Sequence, residues 1–408
     1  MIIVGGGLGG LLSAALFSRE RKVTVFERSR QLGGRFRNFD REGYALTTGA
    51  LHMLPHGSKG PLAEILATVG ARCQIVDSNP YATFLINGQE MRFHDVRKSL
   101  SHTDRLRISK LLLQMRYMNV PDISVEEYMT ARFSDPIFMK FLKCFLGWSL
   151  SLPPNELGMR DFSEIIRNFL KYGGPGIPMG GCGGVVSALT DVLKANDVEV
   201  IHRKVGSLII EGGSVRGIET TDGDEYYDDI VISDIGAKAT CDLCPGNTLE
   251  KTFLGKVGCI RPSGGIKINF SSDEPLISHN GIFFPMDCER VEGIVEVTNV
   301  DPSLAPKGKH LLMSHQTLGP GSITSEVKKG ISDIEETFKG RDIDIICAQS
   351  YFGKNPVNHA SQGEDLRVDS FPIGGLYVVG DSVKGAGGIE VDGVALGVLD
   401  LYSKLAKA

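Results

Sequence analysis

The first thirty-five residues restrict this chain more than any other stretch. Ile2-Ile3-Val4 is a short β-branched run, the cluster Gly5-Gly6-Gly7-Leu8-Gly9-Gly10 follows at once, and Leu11, Leu12, Ala14, Ala15 and Leu16 continue with helical spacing. A second β-branched run, Lys22 to Phe26, ends in Glu27. The order is strand, turn, helix, strand. Gly5 lets the chain turn sharply out of the first strand, Gly7 lets backbone approach a pyrophosphate, and Gly10 lets the helix pack closely on the sheet. A helix opening at Leu8 and Gly9 aims N–H groups and its positive dipole end at phosphates. Glu27 stands 20 residues past Gly7, where a carboxylate accepts hydrogen bonds from ribose hydroxyls and repels a 2′-phosphate. The spacing predicts a dinucleotide site that disfavours NADP and leaves FAD and NAD open.

A chain of 408 residues exceeds the size at which a single core stops growing, so two domains are expected. Hydrophobic content of 42%, charged content of 23% and a net charge of −5 are those of a globular protein without a basic excess for nucleic acid. The sequence opens directly in a strand and holds no run of membrane-span length, so a cytoplasmic protein without a signal peptide is expected. Eight scattered cysteines read as free thiols. Cys241 and Cys244 form a CxxC without a second pair or nearby histidines, so no metal site is expected.

After Glu27, the loop Arg28 to Arg35 carries the pair Gly33-Gly34, fit for a second backbone approach to phosphate, and Arg35, fit to offset diphosphate charge. Tyr44 to Ala50 reads as a strand ending in small residues. Together, Gly5, Gly7, Gly10, Glu27, Gly33-Gly34-Arg35 and Thr48-Gly49-Ala50 resemble the N-terminal signature of FAD-dependent enzymes of the amine oxidase and phytoene desaturase superfamily. Pro178 to Gly184, running into a helix from Val185 to Leu193, resembles the internal glycine-rich segment of the phytoene desaturase branch. Gly375 to Asp381, followed by Gly387-Gly388-Ile389-Glu390, resembles its terminal flavin motif. The resemblance implies FAD as cofactor, with Gly380 and Asp381 beside its ribityl and phosphate portion. It also implies a backbone contact of Val205 with adenine, and a helix start at Ile389 to Val391 near the flavin pyrimidine, where N–H groups stabilise charge on the reduced ring.

The expected fold is α/β. A Rossmann-like FAD-binding domain (1–74, 176–240 and 351–408) is interrupted twice by an α+β substrate domain (75–175 and 241–350). The first interruption opens with strands at Ala82–Ile86 and Glu90–Phe93 and turns helical, with a capping box at Ser124 and Glu127. The second adds strands at Gly265–Phe270, Gly293–Val300 and His310–His315, expected to join the first pair in one sheet. Between the interruptions, Val198–Ile201, Val205–Ile210, Val215–Thr220 and Asp229–Ile232 carry β patterning.

Two candidates concern chemistry. Ile266, Ile268 and Phe270 share one strand face, so Lys267 and Asn269 share the other. Lys267 either faces solvent or, as the resemblance to amine oxidases implies, holds a water near flavin N5. His52 and His56 either reach a substrate or are satisfied by backbone. The glycines from Gly173 to Gly184 follow no strand, so a second nicotinamide domain is not expected and reduced flavin would need an external electron acceptor. Residues 103–118 carry Arg105, Arg107, Lys110 and Arg116 among leucines, suited either to peripheral membrane contact or to a solvated helix face. The leading expectation is desaturation, saturation or isomerisation of a small apolar, isoprenoid-like substrate by hydride transfer with flavin N5. The alternatives are an amine oxidase using Lys267 and a non-catalytic FAD-bound scaffold or escort.

Overall fold

The computed structural model describes residues 1–49, 51–246, 248–351 and 366–406. Ala50 of the predicted site lies outside them. A five-stranded parallel sheet runs in the order Leu376–Val378, Val231–Ser233, Ile2–Val4, Thr24–Phe26, Glu199–Ile201. The first helix, Leu8–Phe17, is buried along its whole length. Its leucines and alanines are apolar all round, and it lies between the sheet and the helices Gly181–Ala195 and Glu390–Leu405. The C-terminal helix thereby closes the N-terminal unit, with the rings of Phe17 and Tyr402 5.3 Å apart.

The second large sheet has seven strands in the order Asp344–Tyr351, Gly265–Ser272, His310–Thr317, Gly293–Glu296, Ile282–Pro285, Ala82–Ile86, Gln89–Arg92. Strands from both interruptions thus share one sheet, as the patterning predicts. The joint between them is the parallel pairing of Ile282–Pro285 with Ala82–Ile86. Most strand ends shift by one or two residues, and at two of them the element itself changes. Phe93 begins a helix rather than ending a strand, and Val297–Asn299 is a 3-10 turn.

Every residue of Gly265–Ser272 is buried, so the alternation of apolar and polar residues there does not mark a solvent face. Ile266, Ile268 and Phe270 pack toward Ile334 and Phe338. The other face holds Lys267 and Asn269 inside the molecule, where Asn269 Nδ2 donates to Gln349 Oε1 at 3.0 Å.

A three-residue strand, Gly176–Pro178, does precede the internal glycine-rich segment, but it pairs antiparallel with Ile75–Asp77, outside the dinucleotide sheet. The following helix, Gly181–Ala195, starts on side-chain caps. Cys182 N donates to His52 Nδ1 at 3.0 Å and Gly183 N to Asn38 Oδ1 at 2.7 Å. Those acceptors occupy N–H groups that a phosphate site would need.

Asp392 ties the C-terminal helix to the helix Pro61–Val69. Its carboxylate accepts from His56 N and Leu62 N, each at 3.0 Å, in a buried setting. Asp392→Ala leaves both donors without an acceptor and should cost about 2–4 kcal/mol, read as a lower urea midpoint with an unchanged slope.

Candidate functional site

A cleft of about 770 Å³ opens where the parallel strands end. Its walls include Gly5, Gly7, Leu8 and Gly9 from the first turn, and Glu27 and Arg28 from the second strand. The glycine loop contributes Gly33, Gly34 and Arg35, and Gly49, Val205, Gly380, Asp381, Glu390 and Val391 complete the set. Most of the predicted cofactor residues therefore meet at one place. The N-cap residue Gly7 carries no side chain to cap the first helix, and its opening residues Leu8 and Gly9 line the cleft. Glu27 bridges the two turns, accepting from Gly6 N and Ser29 N, each at 2.7 Å. Arg35 is ion-paired with Asp381.

Four predicted residues stand behind the wall. Thr48 Oγ1 donates to Gly34 O at 3.2 Å and steadies the glycine loop. Gly388 lies against Gly393, an approach that leaves no room for a Cβ. Ile389 is buried and lines a different cavity. Gly10 supports the turn from below, where a Cβ would run into Gly5 O.

The sequence reading missed Asp234, which follows the strand Val231–Ser233. Gly10 N donates to its Oδ2 at 2.8 Å. A Cβ on Gly7 or Gly9 would come within 2.5 or 2.6 Å of the same carboxyl, and one on Gly380 would also strike it. The glycines are thus packed around an acid as well as opened toward a ligand. Burial raises the Asp234 pKa to about 8, with the Gly10 N–H opposing the shift. The signal available in the sequence was an aspartate directly after a buried β run, as at Gly380-Asp381.

The inner end of the cleft is polar and enclosed. Lys267 is buried, not solvent-facing, and its ammonium donates to Thr47 O at 2.9 Å and to Thr47 Oγ1. Burial lowers its pKa to about 8. Lys267 pairs across the sheet with His315 on one side and Gln349 on the other. Next to it, Tyr351 Oη is hydrogen-bonded to His315 Nε2 and lies 2.8 Å from Ser151 Oγ. Burial first, then the Lys267 charge, lowers the His315 pKa to about 3, and burial raises that of Tyr351. Glu292 stands 3.9 Å from His315 Nδ1, and burial raises its pKa to about 7. Glu390 completes this end. It opens the C-terminal helix at the left-handed φ of 43°, and burial raises its pKa to about 8.

His52 does not take part. It is fully buried, lines neither cavity, and is engaged at both ring nitrogens. Nδ1 accepts from Cys182 N, so Nε2–H donates to Ala45 O at 2.7 Å. Burial lowers its pKa to about 4, so of the two alternatives His52 takes the backbone-satisfied one, and a catalytic role does not fit a ring held at both nitrogens. His56 is held at one nitrogen only, Nδ1–H donating to Gly173 O at 3.0 Å, while its buried Nε2 has no hydrogen-bond partner among the described residues.

A second cavity, of about 660 Å³, has walls of Phe84, Phe141, Phe145, Trp148, Phe169 and Phe284, with Ile389 among the aliphatic residues. Leu51 and Glu390 line both cavities. The apolar chamber therefore meets the cleft at the cleft's polar end.

This geometry agrees with what the chain is similar to. Residues 3–69 match the family model of the NAD(P)-binding Rossmann-like domain. An uncharacterised protein of Methanocaldococcus jannaschii is 42% identical, with 98% of each chain covered. The crystal structure of an oxidoreductase from Methanosarcina mazei superposes with a TM-score of 0.93 at 40% identity, covering 98% of this chain and 99% of that one. Prolycopene isomerase of Arabidopsis thaliana is 24% identical over 76% of this chain and 62% of its own length, so the match spans under two thirds of that enzyme. The chain belongs to the same family as the Methanosarcina mazei oxidoreductase, and its N-terminal part is a Rossmann-like dinucleotide-binding domain.

Two outcomes test this geometry. Asp234 holds a proton in the folded state that the unfolded chain releases near pH 4, so its contribution makes stability fall as pH rises from about 4 to about 8. Asp234→Asn should remove that part of the decline, measured by urea unfolding across this range. At Gly265, a Cβ would come within 2.6 Å of His315 Nε2 and also strike Tyr351 Oη. Gly265→Ala should therefore separate the pair and cost about 1–3 kcal/mol, seen as a lower melting temperature and altered tyrosine absorbance.

Proposed function

We propose that the cleft holds FAD and that the chain transfers a hydride between an apolar substrate in the aromatic chamber and the flavin ring, as a desaturase, saturase or isomerase. The observation that carries this reading is the meeting of the two cavities at Leu51 and Glu390. An apolar molecule in the chamber and a ring at the polar end of the cleft would share one boundary.

In this reading each residue's role follows from its chemistry. The uncapped amides at Leu8 and Gly9, with Gly7 and the Gly33-Gly34 turn, receive the diphosphate, and Arg35 and Asp381 set the charge beside it. Asp234 suits a place near phosphate because burial keeps it protonated at neutral pH. Glu27 takes the ribose hydroxyls, and Val205 lies where adenine is expected. The start of the C-terminal helix, where Glu390 and Val391 line the cleft, turns its positive dipole end toward negative charge on the ring. FAD, when bound, supplies a hydride acceptor or donor. The chain supplies an aromatic chamber that excludes water and, at its boundary with the cleft, the Glu390 carboxyl, whose pKa burial raises to about 8.

The relationship to prolycopene isomerase supports an isoprenoid-like substrate, and an external electron acceptor completes the cycle unless the reaction is redox-neutral. Amine oxidation is the second reading. The burial of Lys267 at the inner end of the cleft favours it.

The test is the visible spectrum of the purified protein after gel filtration, with the released cofactor identified after denaturation. The expected result is stoichiometric FAD. Glu27→Ala should weaken FAD about 10- to 100-fold, as loss of a charged ribose contact implies, and should lower stability by about 1–2 kcal/mol because Gly6 N and Ser29 N lose their acceptor, so affinity is measured on the folded variant. A colourless protein that FAD neither colours nor stabilises overturns the reading. Bound flavin that no apolar or amine substrate reduces would favour the scaffold.

A further inference from the structure

We propose that the helix His102–Tyr117, with the turn at Phe93, docks this protein onto the surface of an anionic phospholipid bilayer. Exposure, charge and position relative to the apolar chamber all point to it.

Leu106, Lys110, Leu113 and Tyr117 recur at helical spacing and form one stripe. Asp104, Ile108, Leu111 and Met115 lie on the opposite side, with Leu111 and Met115 in a core that includes Phe162 and Ile165 of the helix Met159–Tyr172. That inner face is fixed, because Ser163 Oγ and Arg167 Nε donate to Met115 O at 2.9 and 2.6 Å. The outer stripe is left to solvent, with Leu106 73% and Tyr117 69% exposed. Among the described residues, eleven large hydrophobic side chains are exposed. Six of them, Phe93, Leu106, Leu112, Leu113, Tyr117 and Met118, fall within residues 93–118. Chance scatter of exposed leucines needs no explanation, but such a concentration does.

The same segment is basic. Residues 92–118 carry seven lysines and arginines against two acids, in a chain of net charge −5. Arg107 and Arg116 flank the apolar stripe and Lys110 lies within it. Long basic side chains reach headgroups while leucine and tyrosine enter the boundary below them. The charge also selects among partners. Two copies meeting through this face would bring like charges together, whereas an anionic lipid surface complements it.

Position supplies the third observation. Tyr81, Phe93 and Leu170 line the apolar chamber and are themselves exposed, so they form its rim. Leu170 lies one turn beyond Arg167 on the face of its helix that carries the docking helix. Docking would set the chamber mouth against the bilayer, and an apolar molecule would pass inward without crossing water. This benefit rests on the chamber being the substrate site, whereas the docking itself does not.

The experiment is co-sedimentation of the purified full chain with vesicles of phosphatidylglycerol and phosphatidylcholine in equal amounts, and with phosphatidylcholine alone. Binding is expected to the anionic vesicles only, falling steeply as salt rises from roughly 0.1 M to roughly 1 M. Lys110→Glu should lower partitioning at least fivefold, a figure set by about 1 kcal/mol per basic residue at such a surface. Leu106→Ser with Leu113→Ser should abolish binding at unchanged melting temperature, because both side chains are exposed. The inference is overturned if the wild type stays in the supernatant, if the serine variant binds equally well, or if the face instead drives concentration-dependent self-association. None of these readouts involves flavin, so they stand whether or not FAD is found.

Discussion

The structure depends on a close approach of backbone to one buried carboxyl group. Asp234 sits among Gly7, Gly9, Gly10 and Gly380, and side chains at three of those positions would collide with it. The first turn, the strand Val231–Ser233 and the strand Leu376–Val378 can converge only because those positions are glycine. The convergence fixes the floor of the cleft, and the C-terminal helix then closes over the first helix. Chain ends that are far apart in sequence become one surface through this contact, so a change in either end is felt at the same place.

The second dependence is on burial of both faces of one sheet. The strand Gly265–Ser272 presents its apolar face to a helix and its polar face to the cleft. Some polar groups there are paired, Lys267 with Thr47 and Asn269 Nδ2 with Gln349, whereas Asn269 Oδ1 and Ser271 Oγ are buried without a hydrogen-bond partner among the described residues. Low dielectric shifts several of them toward neutrality, which lets acids, a phenol and an imidazole crowd together without strong repulsion. Gly265 makes space for the pair His315 and Tyr351 in the way the motif glycines make space for Asp234.

Much of this was legible in the amino-acid sequence, where local geometry is dictated by residue type. Gly5, Gly7 and Glu27 announce a turn, a close approach and an acid in register, and they meet in one cleft. The pairing of strands from both interruptions was readable from their period-two patterning. What could not be read depends on contacts distant along the chain. Alternation at Lys267 looks the same whether the polar face meets water or a second layer. His52 gives no sign that its partner is Cys182, 130 residues later. Asp234, His315 and Tyr351 belong to no local motif, because their significance arises from what three separate strands bring beside them.

One detail gives the molecule an optical property of its own. Its single tryptophan, Trp148, stands in the wall of the aromatic chamber, beside His315 at a ring separation of 6.3 Å. Indole emission is sensitive to the polarity around the ring and to quenching groups that come near it. The chain thus carries a built-in gauge whose brightness and colour respond to the filling of the chamber and of the cleft beside it.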